Sequence, residues 1–312
     1  MSILIDIRAD DWMTEEQLES FLQPLLPGVS MHCRDAGEQK ADVTMIATAQ
    51  LRPGILSEYP NVRLIQKLGA GVDAIVSDSD VNRKNIRVCR LKPDMPAHEI
   101  AEYCLTYVLH FQRQVAHYDQ AQKNGLWKPL PPMKASETTV CVLGLGHIGA
   151  RTADYFAHMG YRVIGWSRSQ KHLPDVDCRA GEDALSDVLA TGDYVVSILP
   201  STELTRNLIN SETLSGMKSS AVLINAGRGD LVNQEDLLEA LDQGTIKAAV
   251  LDVFQQEPVP ADHPLWTHPN VIMTPHVSGW HLDDGLDVVA KNYLALINNQ
   301  PLAHEVDIHA GY

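Results

Sequence analysis

Three short motifs carry side chains that could together reduce a carbonyl group. They are NAGRGDLV at 225–232, LDVFQQEP at 251–258 and TPHVSG at 274–279, and each lies at the end of an apolar run typical of a buried strand. They contribute one arginine, one glutamate and one histidine, namely Arg228, Glu257 and His276. Because ligands of open α/β sheets bind beyond the carboxyl ends of the strands, we expect these three side chains to meet there.

The three residue types suit hydride reduction of a small 2-keto acid. Arg228 can bind a carboxylate through two parallel hydrogen bonds and polarise the adjacent carbonyl. Arrival of the hydride leaves an alkoxide, to which His276 can give a proton near neutral pH. Glu257 would favour the imidazolium form and orient its ring. Taken singly, each residue is more often a surface or turn residue, but three at successive strand ends favour one shared site.

A glycine-rich turn at 144–149 is the strongest local signal for a cofactor. Residues 138–156 have the pattern of a strand, then Gly144-x-Gly146-x-x-Gly149, then a helix that takes in His147 and Ile148. The first glycine permits the tight turn, the second lets the backbone approach a pyrophosphate, and the third packs helix on strand. The motif predicts a dinucleotide site. The alternative is a glycine-rich turn that binds no ligand.

The end of the next predicted strand bears on which dinucleotide is bound. An NAD-specific site would place an acidic residue here for the ribose 2′-OH. The chain instead has Ser167, Arg168 and Ser169, followed by Lys171 and His172. Two hydroxyls and a guanidinium suit a 2′-phosphate, so we expect NADP as the preferred cofactor, with NAD as the alternative. The basic side chains could also be ordinary solvated surface charges.

Composition limits the class of protein and its partners. The 312 residues are 45% hydrophobic and 21% charged, which is typical of a globular protein of about two domains. The net charge of −15 repels nucleic acids and anionic membranes, so neither is expected as a partner. No apolar run reaches the ~20 residues of a membrane span, and no signal peptide pattern is present. The scattered cysteines and histidines predict no metal, and together these features favour a cytoplasmic protein.

Short apolar runs alternate with helical patterns along the chain, which predicts an α/β fold with open parallel sheets flanked by helices. Helix starts are indicated at Thr14, by a capping box with Gln17, and at Asn233, whose helix closes at Gly244. A final helix is expected at 283–299. The predicted strands lie at residues 3–7, 43–48, 64–68, 88–91, 140–145, 162–166, 194–199, 222–225, 248–253 and 271–274.

Residues 99–117 have the pattern of a long helix with apolar side chains on more than one stripe. A helix of this kind is buried between domains or between subunits, so we expect a homodimer. The proline-rich segment GLWKPLPP at 125–132 follows as a rigid connector. The first domain therefore ends near this helix, and the second runs to about residue 279.

The glycine motif and the ordered set of Arg228, Glu257 and His276 resemble the D-isomer-specific 2-hydroxy acid dehydrogenase family over essentially the whole chain. The resemblance implies two Rossmann-like domains with the active-site cleft between them. It assigns residues 1–98 and 281–312 to a flavodoxin-like substrate-binding domain, and residues 99–280 to an NADP-binding domain. Within the family, residues 166–169, WKPLPP and the C-terminal VDIHAGY most resemble the bacterial glyoxylate/hydroxypyruvate reductase A branch. The implied substrate is a 2-keto acid such as glyoxylate or hydroxypyruvate, reduced to a D-hydroxy acid.

The resemblance also assigns roles beyond the three catalytic residues. KLGAGVD at 67–73 resembles a loop whose backbone amides bind the substrate carboxylate, which implicates Ala70 and Gly71. Asp252 resembles the aspartate that binds the nicotinamide carboxamide, and Glu102 resembles a residue that supports a hinge. Further residues implied at the cofactor are Leu199, Pro200, Thr205, Asn225, Ala226, His276 and Ser278.

Two residues depart from the family pattern, and other functions stay open. Asp230 places a negative charge two residues after Arg228, and Trp280 is bulky for a substrate mouth. A dinucleotide-sensing regulatory protein on the same fold is one alternative, although the sequence has no disordered tail for partners. A phosphoglycerate dehydrogenase-like enzyme is another, although that class predicts a C-terminal regulatory domain and an acidic residue near position 167.

Overall fold

Short buried strands assemble into two separate parallel sheets in the computed structural model, which describes residues 1–8, 12–282 and 284–308. The chain divides into two units, Met1–Met95 with Trp280–Tyr312, and Pro96–Gly279. Each unit has its own sheet with flanking helices, so the predicted fold class of two Rossmann-like α/β domains is confirmed. The roles assigned to the two units stay predictions.

The elements alternate in the order that α/β folds require. In chain order the strands are β1 (Ser2–Asp6), β2 (Ser30–Cys33), β3 (Val43–Thr48), β4 (Leu64–Lys67), β5 (Arg87–Arg90), β6 (Thr139–Leu143), β7 (Arg162–Ser167), β8 (Asp177–Ala180), β9 (Tyr194–Ser197), β10 (Val222–Asn225), β11 (Ala248–Leu251) and β12 (Val271–Met273). The helices are α1 (Glu15–Leu22), α2 (Ile55–Glu58), α3 (Asp73–Val76), α4 (Ser79–Arg83), α5 (Asp94–Gln112), α6 (Val115–Lys123), α7 (His147–His158), α8 (Leu185–Thr191), α9 (Ser211–Ser215), α10 (Gln234–Asp242) and α11 (Asp287–Ile297). Short 3-10 helices lie at Gly37–Asp42, Ala135–Glu137, Glu182–Ala184, Gly229–Leu231 and Pro264–Trp266.

The first unit contains a five-stranded sheet with the order β2-β1-β3-β4-β5. This is the flavodoxin-like order, in which the chain switches direction across the sheet between the first and third strands. Successive side chains of β1 point to opposite faces, so Ile3 and Ile5 join one apolar cluster and Leu4 joins another. The sheet is therefore covered on both faces, as the continuous apolar runs predicted.

The second unit contains a seven-stranded sheet with the order β12-β11-β10-β9-β6-β7-β8. The strand order reverses between β6 and β9, which is the position where doubly wound sheets open a crevice for a dinucleotide. Cys141 and Leu143 lie in the cluster on one face, while Val140 and Val142 lie in the cluster on the other. The carboxyl ends of β10, β11 and β12 are neighbours in this sheet, and the three candidate catalytic motifs follow them directly.

Both predicted caps are confirmed. Thr14 accepts a hydrogen bond from the Gln17 N–H, and the Gln17 side chain accepts one from the Thr14 N–H, so α1 begins with a capping box. Asn233 accepts from two N–H groups at the start of α10, and Gly244 follows the helix with a φ of +68°. These helix ends are formed by residues that are neighbours in the chain, so the sequence alone predicts them.

Two strands were not predicted, and one helix was predicted with wrong bounds. β2 and β8 lie at the edges of their sheets and are only partly buried, so they lack the apolar runs that mark the inner strands. The helix expected at 99–117 begins at Asp94 and ends at Gln112, where Gln114 takes a left-handed φ of 57° before α6. Its early start is stabilised by Asp284, whose carboxylate accepts from the Asp94 and Met95 N–H groups.

Helix α5 buries one stripe rather than most of its surface. Ala97, Ile100, Ala101, Cys104 and Val108 are buried at helical spacing. Half-buried Leu105 and Leu109 flank this stripe, and the opposite side carries the exposed Glu102 and Thr106. The final helix expected at 283–299 is observed as the shorter α11, which begins at Asp287 and ends at Ile297. Asp283, His309, Ala310, Gly311 and Tyr312 lie outside the described residues. None of the helices found in the described ranges combines the length and the apolar character that crossing a membrane would require.

Candidate active site

The glycine-rich turn has the geometry of a phosphate cradle. A Cβ added to Gly149 would lie 1.7 Å from the Gly144 carbonyl oxygen, so only glycine lets α7 pack so closely on β6. A Cβ added to Gly146 would meet no atom within 4 Å, which leaves open space in front of the turn. Gly146 is the N-cap of α7 and supplies no side-chain hydrogen bond, so the helix dipole and first amides are directed toward that space. These features fit the pyrophosphate of a dinucleotide.

The end of β7 forms an ordered turn that presents a cation. The Ser167 side chain is buried and donates to the Ser169 carbonyl at 2.8 Å, while Arg168 and Ser169 are exposed. The Trp166 indole donates to the Gly181 carbonyl at 2.8 Å and fixes the strand behind them. An open cavity lined by residues 170–174 and 176–178 adjoins this turn. The arrangement leaves room and positive charge for a phosphate, with Ser167 serving the turn itself.

The segment after β9 is closed on itself by Thr205. Its hydroxyl donates to the Pro200 carbonyl at 2.6 Å, and its oxygen accepts from the Thr202 N–H at 2.9 Å. Leu199 is buried at the start of this segment. The predicted cofactor residues Leu199, Pro200 and Thr205 therefore belong to one rigid loop beside the glycine-rich turn, since a Cβ on Gly144 would lie 3.2 Å from the Leu199 side chain.

Asp230, which departs from the family pattern, joins two loops. The Ser201 hydroxyl donates to the Asp230 carboxylate at 2.5 Å, and Arg206 lies 3.4 Å from the same oxygen. The backbone continues this junction, because the Asn207 N–H donates to the Asp230 carbonyl at 2.8 Å. The carboxylate is thus compensated by the 200–206 loop, which explains how a negative charge is accommodated two residues from Arg228.

The loop that carries Arg228 is fixed by its own asparagine and by a glycine. The Asn225 side chain accepts from the Gly227 N–H at 3.2 Å and donates to the Arg228 carbonyl at 2.8 Å. A Cβ added to Gly229 would lie 1.9 Å from the Phe254 carbonyl carbon, so the loop lies directly against the segment after β11. Ala226 is buried and donates from its N–H to the Ser197 carbonyl. These contacts bring Arg228 to the segment that carries Glu257.

Glu257 and His276 form a direct pair. Nδ1 of His276 lies 2.8 Å from Oε2 of Glu257, and the Phe254 N–H donates to Oε1 at 2.9 Å. Because a carboxylate only accepts, Nδ1 carries the proton and Nε2 is the ring atom that can exchange a proton with a substrate. The pair is partly exposed to solvent, as a substrate would require.

The surroundings of Glu257 favour its charged form. Burial raises the pKa of Glu257, but the hydrogen bonds from His276 and from the Phe254 N–H, together with the charges of His276 and Arg228, outweigh it and hold the pKa below its usual value. The Arg228 guanidinium, half-buried, donates to the Gly227 carbonyl at 2.7 Å. Two groups that can carry positive charge thus act on the Glu257 carboxylate.

The loop of His276 is held by Asp252. The Asp252 side chain is fully buried and accepts from the Thr274 hydroxyl at 2.6 Å, from the Val277 N–H at 2.9 Å and from the Ser278 N–H at 2.9 Å. The His276 N–H donates to the Asp252 carbonyl at 2.8 Å. His276 has a φ of 55°, in the left-handed region that is uncommon for non-glycine residues. The sequence assigned Asp252 to the cofactor, and its contacts with this loop were not predicted.

The predicted carboxylate-binding residues Ala70 and Gly71 lie in the first unit. They form a half-buried loop between β4 and α3, at the carboxyl end of the sheet. The Arg90 guanidinium donates to the Ala70 carbonyl at 3.3 Å. Trp280 belongs to the same unit, and its carbonyl accepts from the Trp12 indole at 3.1 Å. The part these residues play toward a substrate stays a prediction.

Within the second unit, the structure brings Arg228, Glu257 and His276 together at adjacent strand ends. The residues that sequence reasoning missed are Tyr103 on α5 and Thr274, whose hydroxyls bond to each other at 2.6 Å behind the His276 loop. Thr274 stands in the TPHVSG motif, but nothing in the sequence connects it to a tyrosine far away in the chain. In the described ranges, no group of three or more His, Cys, Asp or Glu side chains is arranged to hold a metal ion.

Comparison with known proteins identifies the family. A family model for the D-isomer specific 2-hydroxyacid dehydrogenase, NAD binding domain, matches residues 105–278. Glyoxylate/hydroxypyruvate reductase A of Salmonella newport (strain SL254) is 36% identical over 256 residues, which cover 80% of this chain and 82% of that protein. The chain belongs to the D-isomer specific 2-hydroxyacid dehydrogenase family, as its motifs predicted.

Solved structures agree with this membership. A D-isomer specific 2-hydroxyacid dehydrogenase from Xanthobacter autotrophicus Py2, in complex with NADPH and MES, covers 100% of both chains with 33% identity and a TM-score of 0.91. An NADPH-dependent glyoxylate/hydroxypyruvate reductase from Sinorhizobium meliloti, in complex with NADP and sulfate, also covers 100% of both chains, with 28% identity and a TM-score of 0.89. The prediction that the chain is a dehydrogenase is confirmed.

Replacing Glu257 by Gln is expected to lower kcat/KM for reduction at neutral pH at least about tenfold. The lowered pKa of Glu257 means that its carboxylate is charged at neutral pH, where it accepts from Nδ1 of His276 and orients the ring. In the parent this charged acceptor is lost only as the pH falls through the lowered pKa of Glu257, whereas the amide of the variant is uncharged at every pH. A pH series of kcat/KM for both proteins measures this. Equal kcat/KM for Glu257→Gln and the parent at neutral pH would contradict the pairing.

Proposed function

We propose that this chain reduces small 2-keto acids of the glyoxylate and hydroxypyruvate type to D-2-hydroxy acids, with NADPH as the hydride donor. The observation that carries the proposal is the Glu257–His276 pair, with the Arg228 guanidinium beside it, at adjacent strand ends of the sheet that also carries the glycine-rich turn. The named activity of the Salmonella relative and the NADP bound in the Sinorhizobium structure support it. The D configuration rests on the family alone.

Arg228, His276 and Glu257 have different roles in the proposed reduction, which follow from their charges. Arg228 binds the substrate carboxylate and polarises the keto oxygen, since its planar guanidinium offers parallel donors. NADPH, when bound, supplies the hydride. Nε2 of His276 gives a proton to the oxygen as negative charge develops there. Glu257 holds Nδ1 and stabilises the imidazolium before transfer. The locally positive pair Arg228 and His276 offsets the net charge of −15, which otherwise repels an anionic substrate.

We assign the cofactor to the second unit, on the cradle described above. The amides at the start of α7 bind the pyrophosphate, Arg168 and Ser169 bind the 2′-phosphate, and Ser167 shapes the turn that presents them. Asp252 has about one acceptor position left after its three loop contacts, which is enough to receive one amide hydrogen of the nicotinamide. The backbone amides at Ala70 and Gly71 are assigned to the substrate carboxylate. The remaining cofactor contacts are assigned to Gly144, Gly146, His147, Ile148, Gly149, Leu199, Pro200, Thr205, Asn225, Ala226, His276 and Ser278.

Arg228→Lys is expected to lower kcat/KM by more than ~100-fold, because a point charge cannot replace two parallel hydrogen bonds. NADPH oxidation is measured with glyoxylate, hydroxypyruvate, pyruvate and oxaloacetate for the parent and the variant. Arg206→Lys, which changes the same residue type on the neighbouring loop, is the control and should retain activity within about threefold. A parent inert toward every acid would contradict the proposed function. An active Arg228→Lys variant would remove Arg228 from the site.

Cofactor preference should depend on the end of β7. We expect the parent to prefer NADPH over NADH by at least about tenfold in kcat/KM, which corresponds to about 1.4 kcal/mol. This lies below the value of a charge-assisted hydrogen bond, because Arg168 is exposed and solvent screens its charge. Ser167→Asp with Arg168→Ala should reverse the preference, mainly through the KM for NADPH, since the new carboxylate repels a 2′-phosphate.

Arg162→Ala is the matched control for this double variant. Arg162 is exposed at the opposite end of β7, so its loss removes one cation, as Arg168→Ala does, without touching the turn. The control should keep the preference of the parent. Equal efficiency of the two cofactors in the parent, or an unchanged ratio in the double variant, would show that these residues do not select the cofactor.

We also propose that the chain forms a homodimer. Exposed apolar side chains gather on α6 and on the segment after it, where Leu126 is 61% and Trp127 98% exposed. The Tyr118 hydroxyl donates to the Leu130 carbonyl at 3.1 Å, so this segment is held against α6 rather than extended into solvent. An ordered apolar surface of this kind favours association with a second copy.

Light scattering at micromolar concentration should give twice the chain mass, and Trp127→Asp should weaken the dimer. A monomer mass for the parent would contradict the proposal.

A further inference from the structure

Three side chains form a hydrogen-bond chain from helix α5 to the His276 loop. The Tyr103 hydroxyl lies 2.6 Å from Thr274 Oγ1, and Thr274 Oγ1 lies 2.6 Å from Oδ1 of Asp252. We propose that Tyr103 and Thr274 are positioning residues, which act through Asp252 to hold His276 in the orientation that proton transfer needs. The inference rests on the proposed function for its catalytic consequence, but the hydrogen-bond chain itself can be tested without a substrate.

The chemistry of Tyr103, Thr274 and Asp252 determines which group donates in each hydrogen bond. The carboxylate of Asp252 offers only acceptors, so the hydroxyl proton of Thr274 is directed to it. The short contact with Tyr103 can then be a hydrogen bond only if Tyr103 donates and the Thr274 oxygen accepts. Burial raises the pKa of Tyr103, so the phenol keeps its proton throughout the neutral range. A single proton arrangement therefore links the helix to the loop.

Asp252 connects the Tyr103 and Thr274 side chains to the backbone of the His276 loop. The oxygen that receives the Thr274 hydroxyl also receives the Val277 N–H, while the other oxygen receives the Ser278 N–H. These two amides directly follow His276, which has a left-handed φ of 55°. Loss of the Thr274 hydroxyl would leave a fully buried carboxylate with fewer donors, and it would leave the Tyr103 hydroxyl without its acceptor. The carboxylate would then shift, and the His276 loop would follow it.

Tyr103 is itself well placed to serve as a fixed anchor. It lies on α5 next to the buried Cys104, and its ring meets the Tyr107 ring edge-on at a centroid distance of 4.8 Å. Its side chain packs against the apolar cluster that contains Val142 and Val250 of the sheet. An aromatic ring held by packing has little freedom, so its hydroxyl defines a position for Thr274 with little loss of side-chain entropy.

Four single variants separate positioning from general stability. Thr274→Val removes the hydroxyl at nearly constant shape, and Thr274→Ser restores it. Tyr103→Phe removes only the first donor of the chain. Tyr107→Phe is the matched control, because it deletes the same atom from the neighbouring ring on the same helix. The double variant of Tyr103→Phe with Thr274→Val tests whether the two residues act through one route, since two members of one chain should not have additive effects.

The kinetic readout uses reduction of the best 2-keto acid by NADPH. Thr274→Val should lower kcat about 10- to 100-fold and Tyr103→Phe about 3- to 10-fold, with the KM for NADPH changed less than about threefold. Thr274→Ser and Tyr107→Phe should match the parent, and the double variant should be no slower than Thr274→Val. A general loss of stability would lower the amount of active protein, but it would leave kcat per active molecule and the KM for NADPH unchanged.

The readout that needs no substrate is hydrogen exchange of the peptide covering residues 274–279, measured by mass spectrometry. Exchange should be faster in Thr274→Val and Tyr103→Phe than in the parent, and unchanged in Tyr107→Phe and Thr274→Ser. Unchanged exchange in Thr274→Val would overturn the hydrogen-bond chain. Faster exchange with a normal kcat would overturn its role in catalysis. If the parent reduces no 2-keto acid, the proposed function fails. The exchange result still decides whether the hydrogen-bond chain positions His276.

Discussion

A single buried carboxylate organises the candidate active site of the second unit. Asp252 has no exposure to solvent, and it receives hydrogen bonds from the Thr274 hydroxyl and from the Val277 and Ser278 amides. A buried anion is stable only when it is well supplied with donors, so the loop cannot move away without exposing that carboxylate to an apolar environment. His276 has a left-handed φ, and Asp252 holds the loop through the two amides that follow it.

The remaining geometry follows from the order of the sheet. β10, β11 and β12 are neighbours, so the segments that carry Arg228, Glu257 and His276 begin side by side. Gly229 lets the first of these segments lie against Phe254, and the Phe254 N–H in turn holds Glu257. The charges of His276 and Arg228 both act on the Glu257 carboxylate and help to hold its pKa below the usual value, within a chain whose net charge is −15.

Sequence patterns were sufficient for the features that depend on neighbours in the chain. The inner strands, the Thr14 and Asn233 caps and the glycine-rich turn all have local chemical causes, and the structure has them where they were expected. The edge strands β2 and β8 were missed because partly exposed strands need no apolar run. The start of α5 was misplaced because its capping carboxylate comes from Asp284, at the other end of the chain.

The candidate site shows the same limit at the level of single side chains. Residue types and spacing pointed to Arg228, Glu257 and His276, because their chemistry is characteristic and their motifs follow strands. The contacts that set their geometry could not be predicted, since Tyr103 meets Thr274 and Ser201 meets Asp230 only after the chain has folded. Ser167 illustrates the point, because its type suggested a direct phosphate contact while its hydroxyl donates to the Ser169 carbonyl.

Asp252 acts as a pure hydrogen-bond acceptor beneath the His276 loop. Asp252→Asn keeps the shape but replaces one acceptor oxygen by an NH₂ group, which cannot accept from the Val277 or Ser278 amides. The direct measurement is the single-turnover rate of NADPH oxidation by this variant at saturating NADPH and 2-keto acid. We predict a rate at least ~100-fold below that of the parent in a protein that remains folded, because the proton donor is no longer held in place. A rate within about threefold of the parent would contradict the account.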